Sequence, residues 1–122
     1  MTRTVKATDG VGESRTKEDP MTQGVELHLR CRVIPARQTE FLSFLREAVP
    51  FYESPGGIRV RLQQDAHDAD RFIEVVEYRD EAVYQQDQAR VENDPAMKSY
   101  LDRWRLLLAE PPVVEVYRHV SI

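Results

Sequence analysis

Residues 71 to 84 constrain the fold most, because a strand pattern there passes directly into a helix signal. The first half of this stretch is rich in β-branched and aromatic residues, which suit the pleated, half-buried surface of a strand. Asp80 then offers a helix N-cap, and Glu81 adds a carboxylate to the first turn, where the helix dipole favours it. We therefore predict a strand that leads straight into a helix.

Three other segments have the pattern of strands. Apolar and polar residues alternate strictly from Val25 to Val33 and again from Ile58 to Gln63. A Pro-Gly-Gly turn signal precedes the second of these segments. The polar run from Asp65 to Asp70 is short enough to connect that segment to the Arg71 strand as a β-hairpin. A last strand is predicted from Val113 to Val120.

Apolar residues at helical spacing mark two further regions. The first follows Pro35, and Pro50 is expected to end or bend its helix. The second starts at Asp80 and is expected in two pieces, because Asn93-Asp94-Pro95 supplies an N-cap and a first-turn proline in its middle. The later piece carries one apolar stripe: Met97, Leu101, Trp104, Leu107 and Leu108.

The element order is β-α-β-β-α-β, which predicts an α+β fold of the ferredoxin-like type. In that arrangement a four-stranded antiparallel sheet carries its helices on one face, with right-handed crossovers. We predict one domain over residues 24–122, after a flexible tail over residues 1–23 that has no apolar run to bury. Patterned sequence begins just after Met21, which suggests Met21 as the biological start.

Composition excludes several classes of protein. Hydrophobic residues are 41% and charged residues 31%, as in ordinary globular chains. No window approaches the roughly 18 apolar residues of a membrane span, and no secretory signal is present. Cys31 is the only cysteine, so an intramolecular disulfide is excluded and a cytoplasmic location is expected. A net charge of -4 disfavours nucleic acid as a partner.

The face of the sheet away from the helices, here called the open face, has an unusual composition. It is predicted to carry Glu26, His28, Arg30, Arg32, Arg59, Arg61, Glu115, Tyr117 and His119. One interpretation is a solvated face. The interpretation that we prefer is that two such sheets meet in a homodimer, with opposite charges paired between strands or subunits. Because an unpaired buried ion costs several kcal/mol, the space between the sheets should be polar and wet.

Three segments resemble a known family. They are Pro55-Gly56-Gly57-Ile58 before the second strand, Glu77-Tyr78-Arg79-Asp80-Glu81-Ala82 at the strand-to-helix junction, and Leu108-Ala109-Glu110-Pro111-Pro112-Val113 before the last strand. Over about residues 25–120 the chain is similar to antibiotic biosynthesis monooxygenase-like domains of the dimeric α+β barrel superfamily. The resemblance implies a homodimer and oxidation of a small aromatic or quinol-type substrate without a cofactor. The alternative is a non-catalytic homodimer of the same fold, which binds a small ligand or serves assembly.

The chain departs from this family at one position. Many relatives have a histidine about nine residues after the junction aromatic, and counting from Tyr78 reaches Asp87. The departure argues against the haem-degrading members in particular, because neither predicted helix contains a histidine.

An aromatic cavity between the helices and the sheet is the candidate site. Its expected lining is Tyr78, Tyr84, Tyr100 and Trp104, and Asn93 or an arginine is expected to polarise a bound quinol or its oxyanion. The competing interpretation of Trp104 is that it is simply the largest core residue. Cys31 lies on the apolar side of its strand, where a thiol is usually inert.

Two other chemistries are weaker. His28 and His119 would be neighbours if the first and last strands pair, and with Glu26 or Glu115 they suit a divalent metal. No ligand spacing demands a metal, so paired polar side chains are the preferred interpretation. RNA-recognition modules share this element order, but their third strand needs stacking aromatics where this chain has Ile73 and Val75. Motifs of nucleotide-binding, hydrolase and thioredoxin-like proteins are absent from the sequence.

Overall fold

A computed structural model describes residues 24–122 of the chain. The tail predicted for residues 1–23 and the start suggested at Met21 lie outside the described residues. The strands are β1 (Val25–Arg32), β2 (Ile58–Gln64), β3 (Arg71–Tyr78) and β4 (Val113–Arg118). The helices are α1 (Gln38–Glu53), α2 (Glu81–Asn93) and α3 (Pro95–Arg105), and a short 3-10 helix (Pro35–Arg37) precedes α1.

The four strands form one antiparallel sheet in the order β2-β3-β1-β4. This order and the sequence of elements confirm the predicted ferredoxin-like α+β fold. Pairing of β1 with β3 and β4 sets Leu29 opposite Glu74 on one side and Val114 on the other. The apolar residues of β1 thus face the helices, as their alternation predicts.

Two aspartates start the helices of the second helical region, as predicted. The Asp80 carboxylate accepts a hydrogen bond from the Val83 backbone N–H at 2.9 Å and caps α2. The Asp94 carboxylate accepts one from the Ala96 N–H at 2.9 Å and caps α3. Because both caps are local, the division into two helices was predictable from the sequence.

Of the two outcomes predicted for Pro50, an end or a bend of the first helix, the end is wrong, because α1 continues to Glu53. Proline removes one backbone donor, but contacts beyond it hold the last turn. The Phe51 ring lies 4.8 Å from that of Tyr100, and the backbone carbonyls of Phe51 and Tyr52 accept hydrogen bonds from Arg90. The last strand also ends earlier than predicted, at Arg118.

The core consists of two separate clusters under the helices. The larger lies between α1, α3 and the sheet, around Phe41, Phe72 and Trp104. The smaller lies between α2 and the sheet, around Val25 and Tyr78. Within residues 24–122, no helix has the length and apolar character needed to cross a membrane.

On the open face, opposite charges pair between neighbouring strands. The pairs are Arg30 with Glu115 at 2.8 Å and Arg61 with Glu77 at 3.1 Å. Strand β4 at the edge also exposes apolar side chains on both of its faces, including Val113, Val114, Val116 and Tyr117. The open face therefore carries charged side chains that are largely paired within one chain, and it borders the apolar edge strand β4.

Candidate functional site

A cavity of about 220 Å³ lies between the helix-facing side of the sheet and helices α2 and α3. Its lining includes residues of both core clusters. Its walls are mainly apolar, and representative lining residues are Leu27, Val60, Val76, Val91, Leu101 and Trp104. Such a concave, mostly apolar space with a few polar groups is the usual form of a small-molecule site.

Glu74 is the unusual residue of this cavity. Its position in β3, opposite Leu29 of β1 and Leu62 of β2, turns the side chain toward the helices. The residue is only 3% exposed, and its Oε1 atom has no hydrogen-bond partner among residues 24–122. Burial raises the pKa of the Glu74 carboxyl to about 7. The group is therefore close to half ionised at neutral pH.

Trp104 supplies a second polar atom without a partner. The residue is 4% exposed, and no hydrogen-bond acceptor in the described chain reaches its indole Nε1–H. Trp104 belongs to the larger core cluster and also lines the cavity. Because native proteins leave few buried polar atoms unsatisfied, two such atoms on residues that line one cavity make it a candidate site for a ligand with a polar group.

Tyr78 and Asp87 form the third polar feature. The Tyr78 hydroxyl donates to Asp87 Oδ2 at 2.6 Å, and Arg90 Nη2 lies 3.0 Å from Asp87 Oδ1. Burial, followed by the hydrogen bond to Asp87, raises the pKa of Tyr78. Tyr78 is therefore a neutral phenol that already donates its proton to Asp87. Its side chain narrows the cavity and has no second proton to donate to a ligand.

The structure brings together some of the predicted site residues. Tyr78 and Trp104 both line the cavity. Tyr84 packs edge-on against Tyr78, with ring centroids 5.3 Å apart, and lies behind the cavity wall. Asn93 is at the exposed end of α2, where its Nδ2 donates to the Ala89 carbonyl at 2.9 Å. The sequence analysis missed Glu74. The signal that could have identified it was a charged residue at a position of β3 where the alternation places apolar residues.

The two strand histidines share a single carboxylate on the open face. His28 Nε2 lies 2.9 Å from Glu26 Oε1, and His119 Nε2 lies 3.1 Å from Glu26 Oε2. Hydrogen bonding from His28 is the main cause that lowers the pKa of Glu26. Within the described part of the chain, no group of three or more His, Cys, Asp or Glu residues is arranged to hold a metal.

A second depression, of about 230 Å³, lies where β1 ends and β3 begins. Arg30, Arg32 and Arg71 line it together with Asp65 and Glu110, so charges of both signs are present. Neither of the two buried polar atoms without a partner in residues 24–122 lies there. Cys31 also borders it, but burial raises the pKa of this thiol to about 12, so the thiolate is scarce.

A four-stranded sheet whose helices cover one face, with a cavity between them, is typical of small ferredoxin-like α+β domains. The sequence profile of the family described as antibiotic biosynthesis monooxygenase matches residues 25–98, more than half of the 122-residue chain. The chain therefore belongs to the antibiotic biosynthesis monooxygenase family, which confirms the resemblance noted in the sequence.

Solved structures have the same fold at low sequence identity. A conserved protein from Methanosarcina mazei has a TM-score of 0.71 at 15% identity, covering 82% of this chain and 96% of its own. The cofactor-independent oxygenase SnoaB from Streptomyces nogalater has a TM-score of 0.68 at 16% identity, covering 82% and 96%. A Pseudomonas aeruginosa protein has a TM-score of 0.63 at 20% identity, covering 83% and 98%. A search among curated proteins found no match.

Proposed function

We propose that this protein is a cofactor-independent monooxygenase that acts on a small aromatic or quinol-type substrate in the cavity between the sheet and helices α2 and α3. One observation carries the proposal. Glu74 and Trp104 both line the apolar cavity, and each has a buried polar atom that no group in residues 24–122 satisfies. Family membership and the fold shared with SnoaB support it.

The volume of the cavity limits the size of the substrate. An engineered cavity of about 150 Å³ in another protein binds benzene. Sites for drug-sized ligands occupy roughly 300–1,000 Å³. A cavity of about 220 Å³ therefore suits one substituted ring better than a fused polycyclic substrate.

The proposed chemistry takes place between the substrate and dioxygen, while the protein supplies orientation and electrostatic stabilisation. The substrate loses its hydroxyl proton, and the resulting anion gives electrons to dioxygen. Over the whole reaction the substrate loses four electrons and two hydrogens. One oxygen atom enters the product and the other leaves as water.

Oxygen consumption tests this function. With a panel of single-ring quinols, and anthrones as larger comparators, we expect uptake of one dioxygen per substrate, and isotope-labelled dioxygen should place one labelled atom in the product. Val60→Phe, which adds a ring to the cavity wall, should lose most of the activity. Uptake no faster than in the solvent control for every compound would refute the proposal.

The second candidate function is ligand binding or assembly without turnover, and one observation favours it. Asp87 occupies the position at which many relatives have a histidine, and its carboxylate is already bound by Tyr78 and Arg90. It is therefore not available as an acid or a base. Saturable binding of aromatic ligands with no oxygen uptake would support this second function.

Homodimerisation through the open face is also a proposal. Charge pairs within the chain, such as Arg30 with Glu115, reduce the number of ions that burial would leave unpaired. Exposed valines on the edge strand β4 add apolar area beside these pairs. A second copy of the chain would cover both features.

Changing Arg59 and Arg61 together to glutamate is expected to weaken the dimer. The change puts a new carboxylate at position 61 beside Glu77, which now pairs with Arg61 at 3.1 Å. Analytical ultracentrifugation should show a shift from dimer to monomer. The double variant of Arg37 and Arg46 to glutamate, on the helical side, changes the charge equally and should remain dimeric. Unchanged sedimentation of the open-face variant would count against this interface.

A further inference from the structure

We propose that Glu74 receives the hydroxyl proton of a hydroxyaromatic ligand in the cavity, while the Trp104 indole N–H donates a hydrogen bond to the ligand oxygen. The proposal deepens the proposed function and rests on it only for the later reaction with dioxygen. The proton transfer itself concerns the chain and its ligand alone.

The positions of the two groups carry the proposal. Glu74 Oε1 and Trp104 Nε1 are an acceptor and a donor that find no partner within residues 24–122, and both residues line the same cavity. The rest of the wall is mainly apolar, so a ligand that satisfies both atoms must be mostly apolar and carry a group that donates and accepts. A phenolic hydroxyl on a single ring has these properties.

The proton transfer is balanced within the cavity. The ligand O–H bond breaks, a Glu74 O–H bond forms, and the electron pair stays on the aromatic oxygen. One negative charge moves from the carboxylate to that oxygen, and the total charge is unchanged. The protonated Glu74 and the Trp104 N–H then both donate hydrogen bonds to the aromatic oxyanion, which stabilises it in a site with little water.

Other titratable groups around the cavity do not share this role. Burial raises the pKa of Cys31 on β1, of Tyr52 on α1 and of Tyr78 on β3. Asp87 on α2 is bound by Tyr78 and Arg90, and Arg105 on α3, which carries a guanidinium group, also lines the cavity. Glu74, with a pKa of about 7, is therefore the group expected to change its charge near neutral pH.

A matched pair of ligands tests the proposal without oxygen chemistry. The ligands are p-cresol and its methyl ether, which lacks the hydroxyl proton. Binding is followed by the fluorescence of Trp104, the single tryptophan of the chain, excited where phenols do not absorb. Near pH 9, where Glu74 is ionised, the wild type should bind p-cresol about tenfold more tightly than the ether. This preference should decline through about pH 7 as Glu74 gains its proton.

Two variants distinguish an effect of the Glu74 carboxyl from effects of pH or of charge elsewhere in the protein. Glu74→Gln should keep a weak preference that does not change with pH. Glu77→Gln makes the same change on the same strand but on the open face, and should behave as the wild type. The pH series of the wild type alone remains a test if Glu74→Gln fails to fold.

Several results would overturn the proposal. These are equal binding of the two ligands, binding of neither, or a pH-dependent preference that survives in Glu74→Gln. If the preference behaves as expected but no oxygen is consumed, the oxygenase function fails and the assignment of Glu74 stands.

Discussion

Replacing Arg90 by alanine is expected to lower the free energy of unfolding by about 3–5 kcal/mol, as when one partner of a buried ion pair is removed. Arg90 Nη2 lies 3.0 Å from Asp87 Oδ1, and both side chains are largely buried. Arg90 also donates to the carbonyl oxygens of Phe51 and Tyr52, at 3.1 and 2.7 Å. These carbonyls belong to the last turn of α1, where a helix provides few backbone donors. The substitution would thus leave the Asp87 carboxylate without its cation and remove one donor from each carbonyl.

Denaturant unfolding measures this loss, and Arg103→Ala provides a matched control. Arg103 forms two hydrogen bonds of 3.0 Å with Glu47 and lies over the rings of Phe44 and Tyr100. The contacts resemble those of Arg90, but this pair is exposed to solvent, which screens it. We expect a clearly smaller loss for Arg103→Ala. Equal losses would show that burial of the Arg90 pair is not what stabilises the last turn of α1.

Replacing Glu74 by glutamine is expected to remove a pH-dependent contribution of about 3 kcal/mol to the free energy of unfolding. Burial raises the pKa of Glu74 from 4.5 to about 7, so the folded state holds this proton more tightly than the unfolded state. The contribution to stability is full below about pH 4.5 and is lost as the pH rises through about 7. Relative to the variant, the wild type should thus be less stable at alkaline pH than at acidic pH.

Urea unfolding of both proteins at several pH values measures this difference, since other titrating groups cancel in the comparison. Glu77→Gln, on the open face of the same strand, makes the same chemical change away from the cavity and serves as the control. A constant difference between wild type and Glu74→Gln from about pH 4 to about pH 9 would show that the Glu74 carboxyl titrates normally.

Local signals made much of the fold predictable. The alternation from Val25 to Val33 identified β1 and its buried face, and aspartates at positions 80 and 94 identified the starts of α2 and α3. A helix end at Pro50 is not observed, because the contacts that maintain the last turn of α1 come from Arg90 and Tyr100, which are distant in sequence.

The candidate site depended on long-range contacts and was only partly predictable. Tyr78 and Trp104 were identified as large aromatic residues on buried faces. Glu74 was missed because a glutamate in a strand normally faces solvent, and only its pairing opposite Leu29 and Leu62 places it inside. Asn93 was predicted in the site because its amide could polarise a ligand. Its side chain instead donates a hydrogen bond to the Ala89 carbonyl at the protein surface.

A crystal structure with a bound single-ring phenol would show whether Glu74 and Trp104 recognise the ligand together. We expect the ring in the cavity beside Trp104, with its hydroxyl oxygen within hydrogen-bond distance of the Glu74 carboxyl group and the indole N–H. A ligand seated only on the open face, or a cavity closed by side chains, would contradict this expectation.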